Sequence, residues 1–208
     1  MPQTRTAYRW RTCDLDSLPD TPWLRYEIID GELIVSTRPH LQHSEIIVRL
    51  GTLSAAPDAS TPRGLQHSEI IVRLGTLLHL VVRAYGGKVL AEPGLVWGEE
   101  AEDNVVPDIA VVLPDRLHLT TGRALSGTPN IAIEIVSDSS RTVDYVQKRY
   151  LYERTGAQEY WIVDRFVRRV EVWEFTGEHP TSVSYSDGDT LTTPLLPDLA
   201  IPIHEIWP

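Results

Sequence analysis

Two short runs constrain this chain more than anything else in it: VVPDIAVVL at 105–113 and NIAIEIVS at 130–137. Side chains alternate along a strand, so Asp108, Ala110 and Val112 share one side while Ile109, Val111 and Leu113 share the other. The second run repeats the pattern, with Ala132, Glu134 and Val136 on one side and Ile131, Ile133 and Ile135 opposite. Strands that are apolar on both sides are covered on both sides, which places these two inside a layered fold. Each carries one acid. An isolated carboxylate there costs on the order of several kcal/mol in desolvation, so it needs a cation, a hydrogen-bond cage or a proton. If the strands pair, the two acids come within roughly 5 Å, close enough to share one hard cation.

The flanking sequence supplies the layers. RYEIIDGELIVS reads as a hairpin turning at Asp30-Gly31. Residues 65–85 carry Ile70, Leu74, Leu77, Leu78 and Val81 at helical spacing, with Gly86-Gly87 as a stop. KVLAEPGLVW reads as a strand, and a helix follows the second apolar run over 140–155, with Ser137, Asp138 or Ser139 as its cap. EYWIVD and RRVEVWEFT are two further strands. The expected fold is α/β: a mixed sheet flanked by helices, with an N-terminal β-hairpin. A chain of 208 residues, 42% hydrophobic, forms one domain over 1–208.

One segment fits no fold pattern. LQHSEIIVRLGTL occurs at 41–53 and again, letter for letter, at 65–77. Solenoids need several diverged units, so two identical copies point to a tandem duplication. The second copy runs on into the long helix, whereas the first breaks at the prolines of SAAPDASTPRG. We read 41–64 as a duplicated insertion. An alternative is that the spare copy docks on a second subunit, giving a homodimer.

Composition excludes several function classes. The first twenty residues lack the apolar core of a secretion signal, and LGTLLHLVVRAY is too short and polar to span a bilayer, so a cytoplasmic, membrane-free protein is expected. With Cys13 the only cysteine, there is no intrachain disulfide and no cysteine-rich zinc site. The patterns of P-loop hydrolases, zinc proteases and nucleophile-elbow esterases are missing. A net charge of −10 opposes a simple electrostatic nucleic-acid binder. Metal ions and local arginines such as Arg141, Arg149, Arg154, Arg165, Arg168 and Arg169 would offset it. Only Lys88 and Lys148 among the 19 basic residues are lysine.

Several motifs in fixed order carry a resemblance: RYEIIDGELIV, HSEIIVRL, NVVPDIAVV, GTPNIAIEIVSDSS, the spacing of Asp144, Lys148 and Tyr152, EYWIVD and LLPDLAIPIHEIW. Together they resemble the Uma2 family of endonucleases in the PD-(D/E)XK nuclease superfamily, over about Leu18 to the C-terminus. The resemblance implies a restriction-endonuclease-like fold and a Mg²⁺- or Mn²⁺-dependent endonuclease acting on nucleic acid, with DNA the expected substrate. It puts metal ligation on Asp108 and Glu134 and water activation on a lysine. The parent signature has that lysine two residues after the second acid, where this chain has Val136; by motif the role falls on Lys148 in the following helix. Glu69 is the resemblance's candidate for a further acid, and Asp144 for a partner that orients Lys148. His67 either contacts phosphate or metal or makes a local hydrogen bond. The rival expectation is a catalytically inactive module of the same fold that binds nucleic acid or protein.

Overall fold

In a computed structural model of the protein, which describes residues 8–21, 24–37, 63–122 and 124–208, the two apolar runs lie side by side in the middle of a sheet. In chain order the strands are β1 (Leu24–Ile29), β2 (Glu32–Thr37), β3 (Lys88–Ala91), β4 (Gly94–Val96), β5 (Asn104–Val105), β6 (Ile109–Val112), β7 (Thr120–Thr121) and β8 (Ala124–Leu125). They continue as β9 (Ile131–Ile135), β10 (Glu159–Asp164), β11 (Arg169–Glu174), β12 (Thr181–Ser186), β13 (Thr190–Thr193) and β14 (Leu196–Pro202). Helix α1 spans Arg63–Ala84; a π-helical stretch, Val143–Lys148, runs straight into α2, Arg149–Arg154.

The central sheet has the order β12-β11-β10-β9-β6-β3, with β9 and β10 parallel and every other pair antiparallel. It is the mixed sheet that the apolar runs demand. One face carries Ile109, Val111, Ile131, Ile133 and Ile135, packed against Ile70, Leu74, Leu78 and Val82 of α1. The hairpin β13–β14 and the C-terminal Ile203, Ile206 and Trp207 close the same core. Fully burying a side chain such as Leu74 or Leu78 contributes about 1.5–3 kcal/mol, which explains why this face needs no polar partner. The opposite face carries Ala110, Val112, Ala132 and Val136, and Ala110 sits directly across from Ala132. Those small residues leave space that the rings of Tyr152 and Tyr160 occupy, 4.9 Å apart.

A second sheet, β2-β1-β5-β4-β8-β7, covers that opposite face together with α2. KVLAEPGLVW is therefore two strands, with β3 in the central sheet and β4 in the second. The break falls at Glu92, whose φ of 47° is left-handed, and at Pro93, which has no amide hydrogen for a ladder. The chain crosses back between sheets at Val106-Pro107-Asp108, from β5 into β6. The second copy of the repeat lies in α1, while the first copy and the rest of the expected insertion up to residue 62 lie outside the described residues.

Candidate active site

The crossing at Val106-Pro107-Asp108 puts three strands against one another. In the β6–β9 register Ile109 faces Ile133, so the next step sets Asp108 across from Glu134. Strand β1 contributes Arg25 and Glu27, two residues apart and hence on the side shared with the buried Ile29. Glu27 is buried, and its Oε1 accepts the Val106 amide at 2.8 Å.

Lys148 joins these acids. It is 3% exposed, and its Nζ donates to Glu134 Oε1 at 2.8 Å and lies 3.0 Å from Glu27 Oε1. Tyr152, one turn further on, donates its hydroxyl to the same Glu134 oxygen at 3.2 Å. The π-helical winding of Val143–Lys148 belongs to a class of distortion common where a helix presents functional groups. Asp144 does not form the expected pair with Lys148. Its carboxylate instead accepts the Ser140 hydroxyl at 2.5 Å, while in the turn before the helix Ser137 Oγ accepts the Ser140 amide at 3.2 Å.

Asp108 has a separate set of partners. Its Oδ2 accepts the Ile135 amide at 2.7 Å and lies 3.2 Å from His67 Nε2, and its Oδ1 lies 3.7 Å from Arg25 Nη1. Arg25 also bonds Glu92. His67 is thus part of the cluster rather than a local helix-start bond. Its Nδ1 is buried with no hydrogen-bond partner among the described residues. Glu69 is not brought to the acids: Arg73, one turn along α1, bonds its carboxylate at 2.8 Å. Tyr160 and Trp161 are core residues.

The charges do not balance. Glu27, Asp108, Glu134 and Asp144 are all buried, against Lys148, an Arg25 shared with Glu92, and His67 when protonated. Burial pushes the Glu134 pKa up; Lys148 opposes this, but the charges of Asp108, Asp144 and Glu27 reinforce it, and the carboxyl ends well above its ordinary range. Burial likewise lifts Asp144 to about 6, against the pull of Lys148 and Ser140. For Asp108, burial is outweighed by His67, Arg25 and the Ile135 amide, and its pKa is lowered. Burial would strip the proton from Lys148, yet the surrounding carboxylates hold it firmly charged. An oxygen-rich cluster with unbalanced negative charge suits a hard divalent cation. As placed, however, the acids turn to Lys148, His67 and Arg25, and among the described residues no three His, Cys, Asp or Glu side chains form a group that could hold a metal ion.

The comparisons with known proteins bear on this arrangement. A model of the Uma2 family, described as "Putative restriction endonuclease", matches residues 57–204. The chain belongs to this family. Among solved structures, this Uma2 chain is similar to "a putative nuclease belonging to DUF820" from Anabaena variabilis, with a TM-score of 0.66 at 18% identity over 95% of this chain and 97% of that one. At that identity the likeness is one of fold. No curated protein matches the chain. Among the described residues no helix is long and apolar enough to cross a membrane.

Two members of the cluster in this Uma2 chain escape a reading of its sequence, Glu27 and Arg25. In RYEIID they alternate with Tyr26 and Ile28, the pattern of a hairpin that shows its polar side to water. Here that side is turned inward onto the crossing. The available signal was Ile29, an apolar residue on the same side as both charges.

Proposed function

We propose that this protein is a metal-dependent endonuclease whose site is built from Asp108, Glu134, Glu27 and Lys148. The observation that carries the reading is the meeting of a lysine from the helix with acids from β1 and β9, all buried, with Asp108 of the neighbouring strand directly across from Glu134. Asp108 and Glu134 would hold the cation, Mg²⁺ or Mn²⁺. When bound, such an ion polarises a scissile phosphate and lowers the pKa of an attacking water.

The chain's own groups have defined parts in this reading. His67, Arg25 and the Ile135 amide fix the Asp108 carboxylate in direction and keep it ionised. Tyr152 and Lys148 both donate to one oxygen of Glu134, which sets the rotation of that side chain. The Lys148 ammonium orients water or stabilises negative charge developing on the phosphate. Glu27, anchored by the Val106 amide, positions the ammonium.

The test is a cleavage assay on single-stranded, duplex and branched DNA and on RNA with Mn²⁺ or Mg²⁺, comparing wild type with Glu134→Ala and Asp108→Ala. Wild-type cleavage lost in both variants supports the assignment, and equal cleavage by all three refutes it. A second reading, a non-catalytic module for nucleic acid or protein, is favoured by the pairing of Lys148 with both Glu27 and Glu134, which engages the carboxylates a cation would use. Absence of wild-type cleavage with either ion on every substrate would select it.

A further inference from the structure

An exposed aromatic residue stands on a rigid turn beside the acidic cluster. Phe166, 42% exposed, lies in the turn between β10 and β11. Its amide donates to Asp164 Oδ1 at 3.0 Å, and the fully buried Asp164 also accepts Arg141 Nη2 at 3.2 Å and the Tyr145 hydroxyl at 3.0 Å, with Arg141 Nη1 in ion-pair contact at 2.8 Å. The turn is therefore anchored on the helical segment that carries Lys148. Two guanidinium groups lie over the ring in cation–π contact, Arg165 at 4.6 Å from its centre and Arg141 at 5.6 Å, and the ring stays 42% exposed beside them.

Arg165 ties this corner to the site. Its Nε donates to the carbonyl of Val136, two residues after Glu134, at 3.3 Å. Its Nη1 donates to Gln66 Oε1 at 3.4 Å, one residue before the His67 that bonds Asp108. The Arg141 side chain is half exposed, so its outer edge faces solvent even while it holds Asp164.

We propose that Phe166, flanked by Arg141 and Arg165, is a stacking platform for an unpaired base, and that the nucleic acid taken by this site is single-stranded or locally unpaired. The substrate class rests on the endonuclease reading; the platform itself does not. An aromatic face binds a base only when that base has left its own stack, as in single strands, loops and flaps. The adjoining guanidinium groups supply cations for the neighbouring phosphates and stack on aromatic planes themselves. The overall charge of −10 points the same way: a long duplex needs an extended basic track, whereas a few nucleotides need only a local one. Two phosphates neutralised on a single strand give a shallow salt dependence, a slope of about −1.4 in log affinity against log salt.

Binding is measured without metal, so that cleavage plays no part. Fluorescence anisotropy of labelled oligothymidylate, oligouridylate and a blunt-ended duplex of two annealed strands is followed in EDTA for wild type, Phe166→Ala and Phe166→Trp, with sedimentation of each protein recorded alongside. Expected are single strands bound more tightly than duplex, a loss of about tenfold on single strands in Phe166→Ala, and recovery in Phe166→Trp. Duplex affinity should change less than about twofold, because it draws on charge alone. The two oligonucleotide arms distinguish DNA from RNA. Single-strand affinity unchanged in Phe166→Ala overturns the proposal, as does a wild type that binds no single strand. A Phe166→Ala protein that loses an oligomer while keeping its single-strand affinity also overturns it, and makes the ring a protein contact. Phe166-dependent binding by a wild type that cleaves nothing leaves the platform standing and removes the endonuclease reading.

Discussion

The ammonium of Lys148 donates to Glu134 Oε1 at 2.8 Å, and both groups are almost completely shielded from water. A buried ion pair of this kind is a weak source of net stability, because desolvation offsets most of the attraction, but removing one partner leaves an unpaired buried charge. Lys148→Met should therefore destabilise the protein by about 3 kcal/mol, read as a shift of the urea midpoint at neutral pH. Adding Glu27→Gln and Glu134→Gln to the same protein should recover most of that loss. A triple variant no more stable than Lys148→Met would show that the lysine acts by packing alone.

Asp144 gives the fold a pH signature. Its pKa rises from 3.8 to about 6 through burial, so the folded state holds the proton more tightly than the unfolded chain does. The stability from this group is complete below about pH 4 and is lost as pH rises through about 6. The amount is about 3 kcal/mol, from a shift of roughly two units. Asp144→Asn retains an oxygen to accept the Ser140 hydroxyl. It should match wild type in urea unfolding near pH 4 and exceed it at pH 7. A difference independent of pH would show that the charge of Asp144 is immaterial.

How far the sequence discloses this arrangement depends on which periodicity carried the information. Asp108 and Glu134 stand out because each interrupts a run that is apolar on both sides, where an acid needs a cation, a hydrogen-bond cage or a proton. The faces of β6 and β9 follow from the same arithmetic. Lys148 is legible only through the family pattern, since its spacing from Asp144 also describes a solvated helical pair, and the π-helical winding that directs it to Glu27 and Glu134 has no signature in the local sequence. Glu27 is hidden because strand alternation says which residues share a side without saying which side meets water. The split of KVLAEPGLVW is visible in Pro93 alone, while the partner sheet of β4 is set by long-range pairing.

The turn from α1 into β3 sets how closely the helix meets the sheet. A Cβ built on Gly87 would lie 2.7 Å from the Val112 carbonyl oxygen and 2.8 Å from Val82 Cγ1, so β3 could not stay beside β6 without a shift. Gly87→Ala should cost about 1–3 kcal/mol, the range for forcing extra volume into a packed site. Gly75, with nothing within 4 Å of its added Cβ, is the contrast. Gly75→Ala in mid-helix should stabilise by about 0.5–1 kcal/mol, and thermal melts of the two variants should move in opposite directions. Equal shifts would locate the effect in the unfolded chain.

Divalent cations should stabilise the folded protein if the acids are ligands, because an ion bound only by the native state raises the melting temperature by mass action. At an ion concentration one hundred times its dissociation constant the gain is about 2.7 kcal/mol, several degrees for a domain of this size. Asp108→Asn and Glu134→Gln should abolish the rise. Lys148→Met should enlarge it, because Glu27 and Glu134 lose the ammonium that offsets their charge. Glu69→Gln should leave it unchanged, since Arg73 already holds that carboxylate. Differential scanning calorimetry with and without Mn²⁺ measures all five proteins. A wild type whose melting temperature ignores Mn²⁺ would remove the metal from the site, and a rise that survives in Glu134→Gln would move it elsewhere.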